Sequence, residues 1–227
     1  AGDYTLTMFP GYSVSLYDDD FSDSTWRALN ATITAQQADE QLQLTTEGTR
    51  PTAAAFDDAA PSVRDFYAQA QVVNVADPSG WAVGIAVRRH EQSYYLLSIN
   101  SLGNWRFTLV QDGNETVIHD WTPHPNIIPG ASSFSIAVLA RGVGFDFFYN
   151  TGYIGSASDR TLTEAGQIGL TVGAFSAQPS RSSAVFDDLV VTQPAEVDGH
   201  YVIPQEITTG DGRQMVLALK RNHVVVA

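Results

Sequence analysis

The stretch SYYLLSINSLGNWRFTLVQDGNETVIHDW, residues 93–121, contains three short runs whose side chains follow a period of two residues. The side chains that share one face of the first two runs are Tyr95, Leu97 and Ile99, and then Trp105, Phe107 and Leu109. A period of two residues is the pattern of a β-strand. Asp112-Gly113 separates the second run from the third and supplies the positive φ that a tight hairpin turn needs. The stretch therefore predicts antiparallel strands that include one tight hairpin.

Further runs continue this pattern towards the C-terminus. They are SFSIAVLA (133–140), FDFFYN (145–150), QIGLTVGAF (167–175) and AVFDDLVV (184–191). Turn formers are plentiful, with 18 Gly and 10 Pro, and no stretch predicts a long amphipathic helix. Short strands separated by turns are typical of sandwiches and jelly rolls. The sequence therefore predicts an all-β protein built as an antiparallel β-sandwich.

The composition limits the classes of partner. The formal net charge is -13, and Lys220 is the only lysine. Because such a surface repels a phosphate backbone, we expect no nucleic-acid partner. No apolar run is long enough to span a bilayer, so we expect no membrane insertion. The absence of cysteine excludes disulfides, thiolate metal sites and cysteine nucleophiles.

The first residue bears on localisation. The chain begins at Ala1 without a methionine, as a secreted protein does after its signal peptide is removed. Cleavage of a tag would leave a similar start. We expect an extracellular or cell-surface protein.

The order of the motifs resembles a known family. The segments that carry the resemblance are Asp19-Asp20-Phe21-Ser22-Asp23 with Trp26, VRDFYAQAQVV (63–73), VGIAVRR (83–89), SIAVLARGVGFDFFYNTGYIG (135–155) and AVFDDLVV (184–191). They resemble the laminin-G-like domains of bacterial surface and secreted proteins, including the DUF1080 class, in the concanavalin A-like lectin and glucanase superfamily. The resemblance covers roughly residues 18–192 and implies a concanavalin A-like jelly roll. Residues 1–17 and 193–227 remain as extra N- and C-terminal strand segments.

The glucanases of this superfamily raise the question of catalysis. They place their carboxylates on one strand as Glu-x-Asp-x-x-Glu, and no such cluster occurs here. Gly-x-Ser-x-Gly and His-Glu-x-x-His are also absent from the sequence, so serine-hydrolase and zinc chemistry find no support. We expect a non-catalytic protein. A glycoside hydrolase built from carboxylates that are distant in sequence is the alternative.

Aspartates at both ends of the predicted sandwich form a candidate calcium site. They are Asp18, Asp19, Asp20, Asp23, Asp187 and Asp188. Calcium takes six to eight oxygen ligands, which an aspartate-rich loop can supply. The resemblance implies that the first and last strands pair, which would bring the two groups together. The alternative is that these aspartates accept backbone N–H bonds in turns.

Aromatic residues are the candidates for glycan binding, the usual non-catalytic role in the family. Aromatic faces stack on the apolar side of a pyranose ring, while polar groups orient it. The candidates are Trp81, Tyr94, Trp105, Trp121 and Tyr153. An aromatic residue in an alternating strand is more often part of the core, so that interpretation stays open for each of them.

The C-terminal segment MVLALKRNHVVVA (215–227) predicts one more strand. Its candidate assembly residues are Met215, Leu217, Leu219, Val224, Val225 and Val226. A strand needs partners for its backbone groups, so we expect this one to pair with a sheet edge. If that edge belongs to the same chain, the strand seals the protein. If it belongs to another copy, subunits join head to tail and can form a fibre.

Three functions follow from the sequence. The first is a structural subunit that assembles with copies of itself through its terminal strands. The second is a module that binds polysaccharide or mediates adhesion. The third is a glycoside-active enzyme.

Overall fold

The computed structural model describes residues 4–10, 14–22, 26–29, 33–48, 54–76, 80–174, 180–197, 200–202, 205–208 and 214–221. The contacts divide the chain into two units, Ala1–Leu16 with Thr192–Ala227, and Tyr17–Val191. The strands in chain order are β1 (Tyr4–Pro10), β2 (Ser15–Asp19), β3 (Trp26–Ala28), β4 (Ile33–Ala38), β5 (Gln41–Gly48), β6 (Ala54–Asp57), β7 (Phe66–Ala76), β8 (Trp81–His90), β9 (Ser93–Asn100), β10 (Asn104–Gln111), β11 (Asn114–Pro123), β12 (Phe134–Arg141), β13 (Gly144–Tyr149), β14 (Gly152–Ser158), β15 (Gln167–Ala174), β16 (Ser180–Thr192), β17 (Ala195–Val197), β18 (His200–Val202), β19 (Gln205–Thr208) and β20 (Gln214–Arg221).

The larger unit is a sandwich of two antiparallel sheets. The order of the seven-stranded sheet is β11-β10-β9-β8-β15-β6-β3. The eight-stranded sheet runs β14-β13-β12-β7-β16-β5-β4, and β2 pairs with β16 outside this path. The predicted all-β sandwich is confirmed. The division of the chain at residues 18 and 192 stays a prediction.

Aromatic rings from the two sheets meet in the core of the sandwich. The ring of Tyr95 on β9 lies 4.9 Å from that of Phe145 on β13. Trp105 on β10 lies 5.2 Å from Phe147, also on β13. All six alternating side chains of β9 and β10 that were predicted to share one face are buried. Large aromatic rings contribute much of the apolar surface that a core buries. Because side chains alternate along a strand, the face that carries these rings is the one that points inwards.

The β10–β11 hairpin turns at Asp112 and Gly113, whose φ angles are 50° and 80°. The predicted positive-φ turn is therefore confirmed. The pairing is regular from this turn as far as Thr108 and Val117, and then shifts on either side of Phe107. Such an irregularity gives one strand extra residues and re-aims its side chains. Here it leaves residues 120 and 121 opposite the stretch of β10 between Trp105 and Phe107.

The smaller unit contains a three-stranded sheet in the order β1-β20-β19. Tyr4 pairs with Arg221 and Pro10 with Met215, so the two ends of the chain form one antiparallel ladder. A separate pair, β17 and β18, also belongs to this unit. Met215, Leu217 and Leu219 lie in β20, whereas Val224, Val225 and Val226 lie outside the described residues. Strand β20 thus has partners from its own chain on both of its edges.

Within the described ranges, no helix is long and apolar enough to cross a membrane.

Candidate functional site

The outer face of the seven-stranded sheet carries a group of polar side chains on β10. Trp105 and Phe107 point into the sandwich, where they contact Phe147 and Phe145. Because successive side chains of a strand point to opposite faces, Arg106 and Thr108 lie on the outer face. Arg106 pairs with Ser98 of β9 in the sheet register, and Thr108 pairs with Leu96.

Arg106 is the centre of this group. Its Nη1 lies 2.6 Å from Oε1 of Glu115, and its Nε lies 3.6 Å from Oδ1 of Asp120. The guanidinium carbon lies 5.8 Å from the centre of the half-buried Trp121 ring. The backbone N–H of Trp121 donates to Oδ1 of Asp120 at 2.8 Å. We call Arg106, Thr108, Glu115, Asp120 and Trp121 the β10–β11 cluster.

Several buried polar atoms at this face lack a hydrogen-bond partner. They are Nε of Arg106, Oγ1 of Thr108 and Nδ2 of Asn100. Thr108 is 2% exposed and Asn100 is fully buried. The Oδ1 of Asn100 accepts from the backbone N–H groups of Leu102 and Asn104, which fixes the amide at the end of β9. An unpaired buried polar group costs about 1–3 kcal/mol, so a ligand that supplies the missing partners gains from binding here.

The structure corrects three of the five predicted glycan-binding aromatics. Trp81 is buried and stacks on Phe134 at 5.5 Å. Tyr94 lies on the outer face of its sheet but is buried, with its edge against Phe56. Trp105 stacks on His119 at 3.9 Å. Because protein rings cover these three residues, they are core side chains and offer no face to a sugar.

The two remaining aromatics are accessible, but they lie apart in the fold. Trp121 belongs to the β10–β11 cluster at the edge of the seven-stranded sheet. Tyr153 is 51% exposed on β14, the edge strand of the other sheet, where Phe148 supports its ring edge-on. Of these two accessible aromatics, Trp121 is the one that lies beside the polar side chains of the cluster.

Sequence reasoning missed Arg106, Thr108, Glu115 and Asp120. The hairpin register contains part of the signal, because Val110 pairs with Glu115 and places that carboxylate on the same outer face as Arg106. The register shift near Phe107 brings Asp120 and Trp121 beside Arg106. No residue type in this stretch predicts that shift. A regular hairpin would instead have placed His119 opposite Arg106.

Four of the six predicted calcium ligands, Asp18, Asp20, Asp187 and Asp188, lie near one another where β2 pairs with β16. Burial first, and then the carboxylates of Asp187, Asp18 and Asp20, raise the pKa of Asp188. Within the described residues, no group of three His, Asp or Glu side chains is arranged to hold a metal ion. Asp23 lies outside the described residues. Calcium at this corner therefore stays a prediction.

Asp19 and Asp20 make the hydrogen bonds that the alternative interpretation expected. Asp19 is buried and accepts from the backbone N–H of Phe21 at 2.7 Å and from Nε1 of Trp26 at 2.8 Å. Asp20 accepts from both the backbone N–H and the hydroxyl of Ser22. These contacts show that the acidic start of the sandwich holds its own turn in place.

Comparisons with solved structures identify the fold. The carbohydrate-binding module CBM66 of Bacillus subtilis superposes with a TM-score of 0.60 at 20% identity, over 76% of this chain and 98% of that chain. A structure described under mucin-degrading O-glycanases of the human gut microbiota gives 0.56 at 9% identity, over 80% and 100% of the two chains. The β-glucanase of Bacillus licheniformis gives 0.54 at 8% identity, over 81% and 100%. The chain has the concanavalin A-like β-sandwich fold.

These likenesses show the fold alone, since all the identities are low. The fold that the sequence resemblance implied is thereby confirmed. The same fold serves binding modules and glycoside hydrolases among the similar structures. No protein-family model matches the sequence, and no curated protein matches it either.

Proposed function

We propose that the sandwich is a non-catalytic glycan-binding module and that the β10–β11 cluster, together with Asn100, is its binding face. The observation that carries the proposal is the set of unpartnered buried polar atoms of Arg106, Thr108 and Asn100. Arg106 and Thr108 belong to the cluster that contains the partly accessible Trp121 ring, and Asn100 lies on the same sheet face. An extracellular location belongs to this proposal.

A sugar matches the chemistry of this face. Each sugar hydroxyl can donate one hydrogen bond and accept others. Glu115 and Asp120 supply acceptors, while Arg106 and Asn100 supply N–H donors. The indole of Trp121 supplies an apolar face of the kind on which pyranose rings stack. The similarity in fold to a carbohydrate-binding module supports the proposal without assigning a ligand.

The arrangement of charges favours binding over hydrolysis. Glycoside hydrolysis needs two carboxyl groups in different roles, one as acid and one as base or nucleophile. In the cluster, Glu115 and Asp120 both contact the same guanidinium. They form an ion-pair network of hydrogen-bonding groups, so we expect binding without release of reducing ends.

The test compares two accessible aromatics at different places. Trp121→Ala and Tyr153→Ala are measured beside the wild type for affinity to a panel of soluble neutral polysaccharides, by affinity electrophoresis and calorimetry. We expect Trp121→Ala to weaken binding by about tenfold or more, and Tyr153→Ala to leave it unchanged. Circular dichroism checks that both variants fold.

Other outcomes would overturn the proposal in distinct ways. Loss of binding only in Tyr153→Ala would move the binding face to β14. Absence of binding to every polysaccharide would end the glycan-binding proposal. Release of reducing ends from any of them would end its non-catalytic part.

Assembly through the terminal strands is the second candidate. The observation that favours it is that β1 and β19 end the three-stranded sheet, so each has one edge without a partner strand among the described residues. Because β20 has partners on both edges, addition of a strand from another copy would use β1 or β19. Light scattering of the intact chain over a range of concentrations tests this. Concentration-dependent growth of mass would support assembly, and a constant monomer mass would exclude it.

A further inference from the structure

We propose that Glu115 makes the β10–β11 cluster selective for uncharged glycans. By pairing with Arg106, it leaves the guanidinium to donate hydrogen bonds to sugar hydroxyls and prevents it from capturing a carboxylate or sulfate group. This inference rests on the proposed glycan-binding function and specifies its ligand class.

The geometry of the ion pair is the first step of the argument. Glu115 Oε1 lies 2.6 Å from Arg106 Nη1, and their side chains are 24% and 18% exposed. A pair this sheltered is screened less than a fully exposed one. Arg106 offers several N–H groups in a planar fork, so pairing through Nη1 leaves others to donate. Its Nε lies near Asp120 but makes no hydrogen bond in the free protein.

The local charge is the second step. Asp120 lies 3.6 Å from Nε, so two carboxylates surround one guanidinium and the cluster carries a net charge of about −1. Arg89, another cation on this sheet, lies 4.6 Å from the centre of the Phe56 ring. It already donates to Gln167 at 2.8 Å and to the carbonyl of Glu91 at 2.9 Å. The chain as a whole carries a net charge of -13, which adds long-range repulsion of polyanions.

The missing partners are the third step. Nε of Arg106 and Nδ2 of Asn100 are N–H donors, and the hydroxyl of Thr108 can both donate and accept. Hydroxyl oxygens satisfy such donors without bringing a charge close to Glu115 and Asp120. An anionic group would satisfy the donors too, but it would place like charges next to each other, which opposes binding. The cluster therefore fits a neutral sugar better than an acidic one.

The experiment measures the affinities of the wild type and Glu115→Gln for two groups of soluble polymers. The neutral group contains laminarin, galactomannan and xyloglucan, and the acidic group contains polygalacturonate and alginate. Binding is measured at low ionic strength and again at about 1 M NaCl, where the Debye length is about 3 Å. We expect the wild type to bind a neutral polymer and to show no measurable affinity for the acidic ones. Glu115→Gln should gain affinity for an acidic polymer by about tenfold or more at low salt and lose that gain at high salt.

Two further variants control the result. Asp120→Asn removes the more exposed carboxylate, whose side chain is 80% exposed, and should give a gain in the same direction even if Glu115→Gln folds poorly. Glu164→Gln removes one charge from an exposed residue that follows β14, outside the cluster, and should give no gain. A gain in Glu164→Gln equal to that of Glu115→Gln would assign the effect to overall charge and overturn the role of Glu115.

The outcomes separate this inference from the proposed function. If the wild type prefers an acidic polymer, and Trp121→Ala abolishes that binding, the site stands and the selectivity is wrong. If both cluster variants fold and neither gains affinity for the acidic polymers, the selectivity is also wrong. If the wild type binds no polymer of either group, the proposed function itself is overturned.

Discussion

Tyr95 Oη donates a hydrogen bond of 2.5 Å to Oδ1 of Asp159, joining the centre of the seven-stranded sheet to the turn that follows β14. The same oxygen accepts the backbone N–H of Leu162 at 2.9 Å. Burial first, and then the bond to Asp159, raise the pKa of Tyr95 to about 12. Burial alone would raise the pKa of Asp159, but the hydrogen bonds from Tyr95 and Thr161 outweigh it and hold that pKa below its usual value. The pair therefore joins a core ring to a loop through a charge-assisted bond.

Tyr95→Phe should lower the free energy of unfolding at neutral pH by about 1–2 kcal/mol, because Asp159 and Leu162 lose their partner. A carboxyl whose folded pKa is depressed adds stability that is present above its unfolded pKa of 3.8 and is lost as the pH falls through the folded value. The difference between the variant and the wild type should therefore shrink below about pH 4. Denaturant unfolding between neutral and acidic pH measures it.

Tyr67→Phe is the control for this prediction. The hydroxyl of Tyr67 donates to the neutral amide of Gln69 at 2.8 Å, so its removal should cost less and should not depend on acidic pH. A Tyr95→Phe penalty that stays constant down to pH 3 would show that Asp159 does not depend on this bond.

Arg88→Lys should be among the most destabilising conservative changes in the sandwich. Arg88 is fully buried, and its guanidinium donates to the carbonyls of Arg64, Leu162 and Gly142. Lysine keeps the charge but cannot reach three separated carbonyls with a planar fork. We expect a loss of about 3–5 kcal/mol, since the carbonyls and the buried charge lose partners. Thermal unfolding of the full chain measures it.

The neighbouring arginine is the matched control. Arg89 is half-buried, and its guanidinium donates to Gln167 and to the carbonyl of Glu91, so Arg89→Lys should cost less than Arg88→Lys, about 1 kcal/mol. Equal losses in the two variants would contradict a special role for the buried fork of Arg88.

Alternation and turn residues predicted the sandwich because they report local geometry. Tyr95 and Trp105 could be placed in one core from their spacing, and Asp112-Gly113 fixed a turn that the structure contains. The same spacing could not tell whether the neighbouring Tyr94 was exposed. Tyr94 lies on the outer face, yet Phe56 from a strand distant in sequence covers it.

The candidate site was harder to predict than the core. Its centre, Arg106, looks like an ordinary polar residue of an alternating strand. Its role in the site depends on the position of Asp120, which is set by the shift in the β10–β11 register. Pairing irregularities of this kind depend on tertiary packing, which in this case includes the stacking of His119 on Trp105.

Asp188→Asn should stabilise the protein at neutral pH. A carboxyl whose folded pKa is raised contributes stability below its unfolded pKa of 3.8, and this stability is lost as the pH rises through the folded value. Asparagine cannot ionise, so it removes the repulsion from Asp187, Asp18 and Asp20. It also tolerates the φ of 45° at this position. The melting temperature of the variant should exceed that of the wild type at pH 7, and the two should converge towards pH 4.

Asp112→Asn is the control for the acidic corner. Asp112 has a similar φ of 50° but lies in the hairpin turn, so the substitution should leave the melting temperature nearly unchanged at every pH.

The same two variants also test the predicted calcium site. If calcium raises the melting temperature of the wild type and of Asp112→Asn but not that of Asp188→Asn, the predicted calcium site gains support. Equal shifts in all three would argue against it.

Thr108→Val should change stability and binding in opposite directions. The hydroxyl of Thr108 is buried without a partner, so valine, which has the same shape, should raise the free energy of unfolding by about 1 kcal/mol. Because the proposed binding face uses this hydroxyl to bind a sugar, its loss should also weaken glycan binding by about tenfold, since the sugar hydroxyl would lose a partner. Denaturant unfolding and calorimetric titration on the same preparation measure both effects. A variant that is more stable and binds equally well would show that Thr108 lies outside the binding face, and a less stable one would show that its hydroxyl is satisfied in the free protein.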